Sequence, residues 1–501
     1  MKRNVLEYLE DAAAGSPQKT AFTDGENTQS FLQLHSQARS AGSFLCDKYR
    51  NRPILVLMER GPEMIAAFFS VLYSGNFYIP AEEEMSLGRI AGIIEKTGPA
   101  AILCDETTEK AATSLGFPGD IYRYSGIAFG DADAAALAEI RESTLDVDPA
   151  YIVFTSGSTG SPKGVVGCHR NMIDYMEALD RVVRASGDTV FGMQAPLYVD
   201  ACLKEILLTI KTGASTVLIP KRLFLFPARL VAFMNAHQVN AVCWAVSALA
   251  MISSLGALET AVPKLDAVFF GGEVFPVAQL ELWRRALPDA RFVNLYGPTE
   301  CTGMSCYYEV QKDASLPGGV PIGRAFSNTG VFLFGGNGLI TEPEVPGELY
   351  IRGTCVTLGY FRDPERTAEA FVQSPLQSDY PETVYRTGDL AKYNAGGDLV
   401  YIGRKDHQIK HMGHRIEPAE IEAAAARLGG VLACCCVFDK GRDRIVLYYT
   451  GLAEEKALPA YLHKALPQYM QPHACVCLKQ LPHTANGKPD RALMAKWARE
   501  L

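Results

Sequence analysis

The 501-residue sequence lacks an uncharged apolar run long enough to cross a bilayer, which would need about 20 residues. Its N-terminal segment, MKRNVLEYLEDAAAG, also lacks the apolar core of a secretion signal. Glu7, Glu10 and Asp11 interrupt that core. We therefore expect a cytoplasmic protein without a membrane partner.

The sequence also lacks an excess of positive charge. Its net charge is −8 and its isoelectric point is near 5.7. A protein that binds nucleic acid usually presents a broad basic surface to the phosphates, so no nucleic-acid partner is expected. At about 100–200 residues per domain, a chain of this length predicts two or three structural units.

A disulfide framework is not expected from the 13 cysteines, because no secretion signal is present. Cys434, Cys435 and Cys436 are consecutive within the apolar run VLACCCVF. Neighbouring residues of a strand point to opposite faces, so the three thiols cannot bind one metal ion together. We predict that these cysteines, and also Cys475 and Cys477, pack in a core as small apolar side chains.

Short apolar runs alternate with helical patterns through the first 300 residues, which predicts layers of helices on largely parallel strands. Five of the runs are PILVLM (53–58), AILC (101–104), STVLIP (215–220), NAVCWA (240–245) and AVFF (267–270). From about residue 330, glycine-punctuated strands such as GELYIRG indicate a β-rich subdomain. A charged segment that begins at GRKDHQIK predicts a boundary before a last α+β unit.

We therefore predict an α/β protein with two domains. The large N-terminal domain, residues 1–403, would contain layered α/β subdomains and the β-rich subdomain. Residues 404–501 would form a small α+β C-terminal domain with its own helices and strands.

A glycine- and hydroxyl-rich segment, TSGSTGSPKG at 155–164, directly follows the apolar run YIVF. Its glycines let the backbone approach a ligand closely, and successive N–H groups can form an anion-binding concavity. The Lys-Ser/Thr pair of a Walker A loop is missing, because Lys163 is followed by Gly164. Taken alone, the segment fits either a phosphate-binding loop or a flexible linker.

Six motifs occur in order along the chain: TSGSTGSPKG, NLYGPTE (294–300), GELYIRG (347–353), YRTGDL (385–390), GRKDHQIKHMGHRIEPAEIE (403–422) and NGKPD (486–490). Together they resemble the adenylate-forming superfamily, specifically the adenylation domains of nonribosomal peptide synthetases and the D-alanine–carrier protein ligases. The resemblance covers nearly the whole chain. It implies an ATP- and Mg²⁺-dependent ligase that joins a carboxylate to the α-phosphate of ATP, releases pyrophosphate and passes the acyl group to a thiol.

The resemblance also implies roles for individual residues. Lys488 in NGKPD would be the catalytic lysine, and Glu300 would bind Mg²⁺, which prefers carboxylate oxygen. Asp389 would accept hydrogen bonds from the ribose hydroxyls, assisted by Arg404. The other implied ATP-binding residues are Thr155, Ser156, Gly157, Ser158, Thr159, Gly160, Lys163, Gly271, Gly272, Asn294, Tyr296, Gly297 and Thr299.

Within this set, the resemblance places Tyr296 against adenine and Asn294 at its amino edge. Thr299 would lie near the α-phosphate, and the glycine-rich loop would hold the β- and γ-phosphates. A simple strand followed by a Gly-Pro turn is the alternative for NLYGPTE, and it leaves Glu300 unexplained.

The C-terminal domain is implied to be mobile, with a hinge near Asp406, so that one site serves both half-reactions. Gly413 would border the tunnel for the pantetheine arm. Met412 stands where many adenylation domains carry arginine, so the resemblance does not define how a carrier docks there. No carrier-attachment signature is found, and the sequence ends just after Lys488. We therefore expect the acceptor to be a separate phosphopantetheinylated carrier protein, or coenzyme A.

Asp200 in APLYVDACLKEI is implied to pair with the α-ammonium group of an amino-acid substrate, although helix capping is an alternative. The preceding Val199 stands where an aromatic residue is usual. The implied side-chain pocket consists of Ala201, Lys204, Cys243, Phe269, Gly271, Leu295, Gly303 and Met304. D-alanine ligases carry cysteine at the position of Gly271, so D-alanine is in doubt here.

Lys204 is the unusual residue of this pocket. A buried ammonium group needs a counter-charge, which favours an acidic amino acid as substrate. Alternatively, Lys204 pairs with Asp200 or Glu205, or points outward.

Two other functions compete with amino-acid activation. One is an acyl-CoA synthetase for a non-amino carboxylic acid, which would leave the carboxylate of Asp200 unpaired. The other is a nucleotide-binding regulator with a decayed site, which the presence of Lys488, Glu300 and Asp389 disfavours.

Overall fold

The computed structural model describes residues 2–155, 162–316, 318–336, 338–405, 408–454, 456–482 and 489–501. The chain forms two compact units. The first comprises Met1–Glu83, Lys96–Val153 and Gly164–Lys405. The second comprises Glu84–Glu95, Phe154–Lys163 and Asp406–Leu501.

The α-helices of the described residues are α1 (Leu6–Gly15), α2 (Phe31–Cys46), α3 (Pro62–Tyr73), α4 (Leu87–Thr97), α5 (Glu109–Ser114), α6 (Ala134–Ser143), α7 (His169–Val183), α8 (Leu203–Thr212), α9 (Pro227–Ala236), α10 (Val246–Ser254), α11 (Ala257–Thr260), α12 (Val277–Ala286), α13 (Pro364–Ala370), α14 (Pro418–Ala426), α15 (Ala457–Ala465) and α16 (Arg491–Glu500).

The strands are β1 (Thr20–Thr23), β2 (Thr28–Ser30), β3 (Pro53–Met58), β4 (Phe77–Glu82), β5 (Ala101–Cys104), β6 (Asp120–Arg123), β7 (Pro149–Thr155), β8 (Lys163–Cys168), β9 (Val190–Met193), β10 (Ser215–Leu218), β11 (Ala241–Ala245), β12 (Ala267–Gly271), β13 (Arg291–Tyr296), β14 (Cys306–Val310), β15 (Arg324–Ala325), β16 (Thr329–Gly335), β17 (Gly338–Ile340), β18 (Gly347–Gly353), β19 (Phe371–Gln373), β20 (Thr383–Tyr393), β21 (Leu399–Arg404), β22 (Ile409–His411), β23 (His414–Ile416), β24 (Val431–Asp439), β25 (Arg444–Gly451) and β26 (Ala474–Cys477).

Two sheets with parallel centres form most of the first unit. One has nine strands in the order β15-β14-β13-β12-β11-β9-β10-β1-β2, and its strands from β13 to β1 run parallel. The other has six strands in the order β6-β5-β3-β4-β7-β8. Strands such as β3, β4 and β12 are buried along their whole length, as expected of parallel strands covered on both faces.

The structure confirms the predicted α/β layering. All five apolar runs named above contain strands, which are β3, β5, β10, β11 and β12. The β-rich texture from about residue 330 corresponds to an antiparallel sheet in the order β17-β16-β18-β20-β19, with β21 paired to β20.

The nine-stranded sheet separates two apolar cores. Cys243, Phe269 and Leu295 point into one core, which also contains residues of α7 and α8. Their neighbours Trp244 and Phe270 point into the other core, on the opposite face. This alternation follows from the two-residue period of a strand, and it puts several predicted pocket residues on one face.

The second unit contains a three-stranded sheet, β24-β25-β26, and the hairpin β22-β23. Cys435 and Cys436 are buried in two different cores, as predicted for neighbouring strand residues. The prediction of core packing is wrong for Cys477, which is exposed. It is the last residue of β26, which is an edge strand, so the sheet covers it on one side only.

Within the described residues, none of the helices has the length and apolar character required to span a membrane.

Substitution of Gly167 in β8 would test the packing of the six-stranded sheet. A Cβ atom there would lie 2.1 Å from Cζ of Tyr151, a fully buried residue of β7. We expect Gly167→Ala to lower the free energy of unfolding by about 2–3 kcal/mol through overpacking, measured by urea denaturation. The control is Gly15→Ala at the end of α1, where a Cβ meets nothing within 4 Å and the change should stay within about 1 kcal/mol. Equal effects of the two substitutions would contradict this packing.

Candidate functional site

The carboxyl ends of three adjacent parallel strands meet at one edge of the nine-stranded sheet. These strands are β11, β12 and β13, which end at Ala245, Gly271 and Tyr296. Ligands of open α/β sheets bind at such an edge. A Cβ on Gly271 would lie 2.2 Å from the carbonyl oxygen of Leu295, so only glycine fits between these strands. The predicted residues Gly272, Gly297, Thr299 and Glu300 follow the ends of β12 and β13 and therefore lie at the same edge.

Glu300 lies in a short helical turn just after β13 and is fully buried. Its Oε1 accepts a hydrogen bond from the Tyr360 hydroxyl at 2.7 Å. Its backbone carbonyl accepts two more from Thr357, through the N–H and the hydroxyl, both at 3.0 Å. The loop that contains Thr357 and Tyr360 therefore fixes Glu300 in place.

A buried, oriented carboxylate suits a hard cation such as Mg²⁺. In the described part of the chain, no group of three or more His, Cys, Asp or Glu side chains could hold a metal ion. Glu300 therefore fits a metal ion that takes further ligands from a bound nucleotide and from water, as Mg²⁺ commonly does. Sequence reasoning missed Tyr360, because no spacing signal connects it with Glu300.

Asp389, Arg404 and Tyr296 form a second buried cluster. Asp389 and Arg404 are directly opposite each other on β20 and β21, and Nη1 of Arg404 lies 2.8 Å from Oδ1 of Asp389. The Tyr296 hydroxyl donates to Oδ2 of Asp389. Burial raises the pKa of Tyr296 and the neighbouring Asp389 raises it further, so the hydroxyl keeps its proton and acts as a donor. Asn294 is also buried, and its amide donates to the Pro321 carbonyl at 2.8 Å.

Five of the eight predicted side-chain pocket residues belong to one apolar core or pack against it. Cys243, Phe269 and Leu295 belong to a single core, and Ala201 and Met304 pack against it. Asp200 lies in a short helical turn before α8, between Val199 and Ala201, which both pack against this core. A Cβ on Gly303 would lie 3.7 Å from Oδ2 of Asp200 and 3.2 Å from Oη of Tyr175. The buried Tyr175 on α7 thus lies beside Asp200, and sequence reasoning missed it.

Burial raises the pKa of Asp200, whereas the charge of Lys204 and the hydroxyl of Thr299 act in the opposite direction. A carboxylate in this position gains from a cation placed next to it. The geometry therefore supports Asp200 as an anchor for a positively charged group.

Lys204 on α8 is buried, so the alternative in which it points outward is wrong. Its Nζ donates to the Ala201 carbonyl at 2.8 Å. The next residue, Glu205, is fully buried, and neither of its carboxylate oxygens has a hydrogen-bond partner among the described residues. Burial raises the pKa of Glu205 to about 7, although Lys204 and Arg60 act in the opposite direction.

Several predicted residues lie outside the described residues, so their positions stay predictions. They are Ser156, Gly157, Ser158, Thr159, Gly160, Asp406 and Lys488. Thr155 ends β7, and the buried Lys163 begins β8. Gly413, predicted at the pantetheine tunnel, lies in the turn between β22 and β23.

Comparisons with known families connect this geometry with a chemistry. The family model for AMP-binding enzymes matches residues 9–361, and the model for the AMP-binding enzyme C-terminal domain matches residues 420–488. Surfactin synthase subunit 1 of Bacillus subtilis is 29% identical over 499 residues, which are 98% of this chain and 14% of that protein. Gramicidin S synthase 2 of Aneurinibacillus migulanus is 30% identical over 501 residues, 99% of this chain and 11% of that protein. The chain thus spans 11–14% of the length of these curated relatives.

Among solved structures, holo-PA1221 is an NRPS protein that contains adenylation and PCP domains, bound to a vinylsulfonamide inhibitor. It superposes with a TM-score of 0.84 at 27% identity, covering 99% of this chain and 84% of that chain. This similarity confirms the predicted resemblance and fold class.

The unpartnered carboxyl group of Glu205 should make the stability of the fold depend on pH. Because its native pKa is raised from 4.5 to about 7, the carboxyl destabilises the fold progressively as pH rises through that interval. Relative to Glu205→Gln, we expect the wild-type free energy of unfolding to fall by about 2–3 kcal/mol between pH 5 and pH 8, measured by urea denaturation. Glu259→Gln, at an exposed carboxylate, is the control and should show no such change. A difference between wild type and Glu205→Gln that is constant with pH would contradict the prediction.

Proposed function

The chain belongs to the AMP-binding enzyme family, and on that premise we propose that it activates an amino acid with ATP and transfers it to a carrier thiol. In the first step the substrate carboxylate attacks the α-phosphorus of ATP, which forms aminoacyl-AMP and releases pyrophosphate. In the second step the phosphopantetheine thiol of a carrier protein attacks the carbonyl carbon. The thioester forms, AMP leaves and the thiol proton is lost.

The observation that carries the amino-acid assignment is the position of Asp200. This carboxylate lies beside the Tyr175 hydroxyl and Gly303, next to residues that pack against an apolar core, and burial raises its pKa. An α-ammonium group would supply the cation that such a carboxylate needs. A non-amino carboxylic acid, the substrate of an acyl-CoA synthetase, would leave it without that cation.

The other residues of the site would bind ATP and Mg²⁺ and assist the reaction. Asp389, oriented by Arg404, would accept hydrogen bonds from the ribose hydroxyls of ATP. Glu300, oriented by Tyr360, would hold Mg²⁺. When bound, Mg²⁺ supplies charge neutralisation at the phosphates. Lys488 is proposed as the lysine that bridges the reacting carboxylate and phosphate, by its place in the NGKPD motif.

We also propose the domain arrangement that the motifs imply. The N-terminal core, residues 1–403, would bind ATP and amino acid, and residues 404–501 would turn about a hinge near Asp406 between the half-reactions. Gly413 would then border the path of the pantetheine arm.

The buried ammonium group of Lys204 is the reason to propose an acidic amino acid. The ammonium group of Lys204 also interacts electrostatically with the carboxylates of Asp200 and Glu205, however. Lys204 therefore has counter-charges within the protein. An acidic side chain is therefore a hypothesis that rests on Lys204 alone.

Amino-acid-dependent exchange of pyrophosphate into ATP, across all L- and D-amino acids, tests the proposed function. We expect exchange with at least one amino acid and its loss in Lys488→Ala. A panel of non-amino carboxylic acids distinguishes the acyl-CoA synthetase alternative. ATP binding without exchange for any acid would contradict the proposal and favour a nucleotide-binding regulator.

Asp200→Ala should lower kcat/KM of amino-acid-dependent exchange about 100-fold or more, because the α-ammonium group would be buried without its partner. Asp266→Ala, at an exposed aspartate remote from this edge, is the control and should retain activity. If Asp200→Ala retained full exchange with the preferred amino acid, the assignment of Asp200 would be wrong.

Tyr360→Phe removes the hydroxyl that orients Glu300. We expect the Mg²⁺ concentration for half-maximal exchange to rise about 10-fold, since partners of a metal ligand typically contribute 10–100-fold to affinity. The matched control is Tyr380→Phe, because the Tyr380 side chain is 58% exposed. An unchanged Mg²⁺ dependence would show that Tyr360 does not act through the metal ligand.

A further inference from the structure

A cavity of about 560 Å³ lies on the first unit, among helices α1, α2, α3 and α6. None of the described residues that line it belongs to the proposed ATP, metal or amino-acid site. Small-molecule sites typically have volumes of about 300–1,000 Å³, so this cavity is large enough for a second ligand.

Small apolar side chains make room for this cavity. Alanines line it on two of the helices, at Ala13 and Ala14 on α1 and at Ala134 and Ala138 on α6. Ala14, Ala134 and Ala138 are exposed, so the cavity opens to solvent. Leu137 on α6 adds a larger apolar side chain to the lining. These walls suit a ligand with an apolar body.

Glu10, Arg141 and Tyr73 form a polar wall of the cavity in which the charges are already paired. Nη2 and Nη1 of Arg141 donate to the two carboxylate oxygens of Glu10 at 2.8 and 3.3 Å. The Tyr73 hydroxyl donates to Oε1 of Glu10 at 3.0 Å. The acid of this wall therefore has its partners within the protein and does not require a cationic ligand.

Arg39 is the second arginine at the cavity, and it forms no hydrogen bond or ion pair among the described residues. It is partly buried on α2, four residues after His35, so the two side chains lie on one face of that helix. A guanidinium group has five N–H donors in a planar fork that matches a carboxylate or a similar anion. Arg39 therefore offers the donors that a bound anion requires.

His35 adds an uncharged donor to the cavity. Burial lowers the pKa of His35, and the charges of Arg39 and Arg141 lower it further, whereas Glu10 acts in the opposite direction. The neutral imidazole at pH 7 keeps one N–H group that can donate to a ligand. Its ring lies edge-on to the ring of Tyr73, with the centroids 6.0 Å apart.

The charges at the cavity favour a ligand of negative charge. Two arginines and one glutamate leave one positive charge there, in a protein whose net charge is −8. A cleft with apolar walls and a charge of one sign concentrates ions of the opposite sign. A nucleotide fits poorly, because its several phosphate charges exceed the single positive charge of the cavity.

We propose that this cavity is a second binding site, which takes a small organic monoanion with an apolar body. Arg39 and the N–H group of His35 bind the anionic group, and the alanines and Leu137 cover the apolar body. The inference does not depend on the proposed function, since no described residue is common to the two sites.

Octanesulfonate is the probe, because its sulfonate stays ionised and is not a carboxylate that the enzyme could adenylate. Titration calorimetry on the full chain should give a Kd of about 1 mM or lower, as expected for a ligand of this size. 1-Octanol lacks the charge and octylammonium carries the opposite one, so each should bind at least about 10-fold more weakly. Binding of octanesulfonate should persist when AMP saturates the nucleotide site.

Two substitutions should weaken binding of the probe by different means. Arg39→Met removes the cation and keeps an unbranched side chain, so the affinity should fall about 10- to 100-fold. Arg181→Met, at an exposed arginine of α7, is its control and should leave the affinity unchanged. Ala138→Trp fills the cavity without changing its charge and should cause loss of measurable binding. Its control is Ala135→Trp, at an exposed position of the same helix outside the cavity.

Thermal unfolding of each variant verifies that the fold is retained. Absence of octanesulfonate binding, equal affinities for octanesulfonate and 1-octanol, or an affinity unaffected by Arg39→Met would each overturn the inference. Loss of binding in the presence of AMP would assign the probe to the nucleotide site and overturn it as well. None of these measurements uses pyrophosphate exchange, so failure of the proposed function would leave the inference standing.

Discussion

The requirement that a buried carboxylate find a partner organises the candidate site of this protein. Glu300 is bonded by Tyr360, and Asp389 is held between Arg404 and Tyr296. Tyr360 is 60 residues from Glu300 and Tyr296 is 93 residues from Asp389, so these two contacts also connect the β-rich subdomain with the ends of the parallel strands. Moving a charge from water into the protein interior costs free energy, and these contacts offset that cost.

The sheet edge explains why these acids can lie close together. Parallel strands expose their carboxyl ends side by side, and the connections that leave them turn sharply. At Gly271 the backbone approaches the next strand so closely that no side chain fits. Backbone pairing of β12 with β13 is thus sufficient to bring the motif residues after these two strands together.

Sequence patterns predicted the strands well, because apolar runs are local properties of the chain. They could not predict the partner of Glu300, since Tyr360 is 60 residues away and carries no signal of its own. Tyr175 was missed for the same reason. Cys477 was wrongly placed in a core, because its burial depends on an edge position in a sheet that spacing does not reveal. The implied roles of Lys488 and Asp406 stay predictions, since both lie outside the described residues.

Glu205 differs from Glu300 and Asp389, because neither of its carboxylate oxygens has a hydrogen-bond partner among the described residues. Acids that serve the scaffold are satisfied within the protein, as Asp389 is by Arg404. The oxygens of Glu205 have no hydrogen-bond partner among the described residues and are fully enclosed, so this carboxyl group lowers the stability of the fold when it ionises. Lys204, considered by itself, favoured an acidic substrate side chain. The charge of Lys204 also acts on the carboxyl groups of Asp200 and Glu205, so the charge of this one residue does not define the substrate.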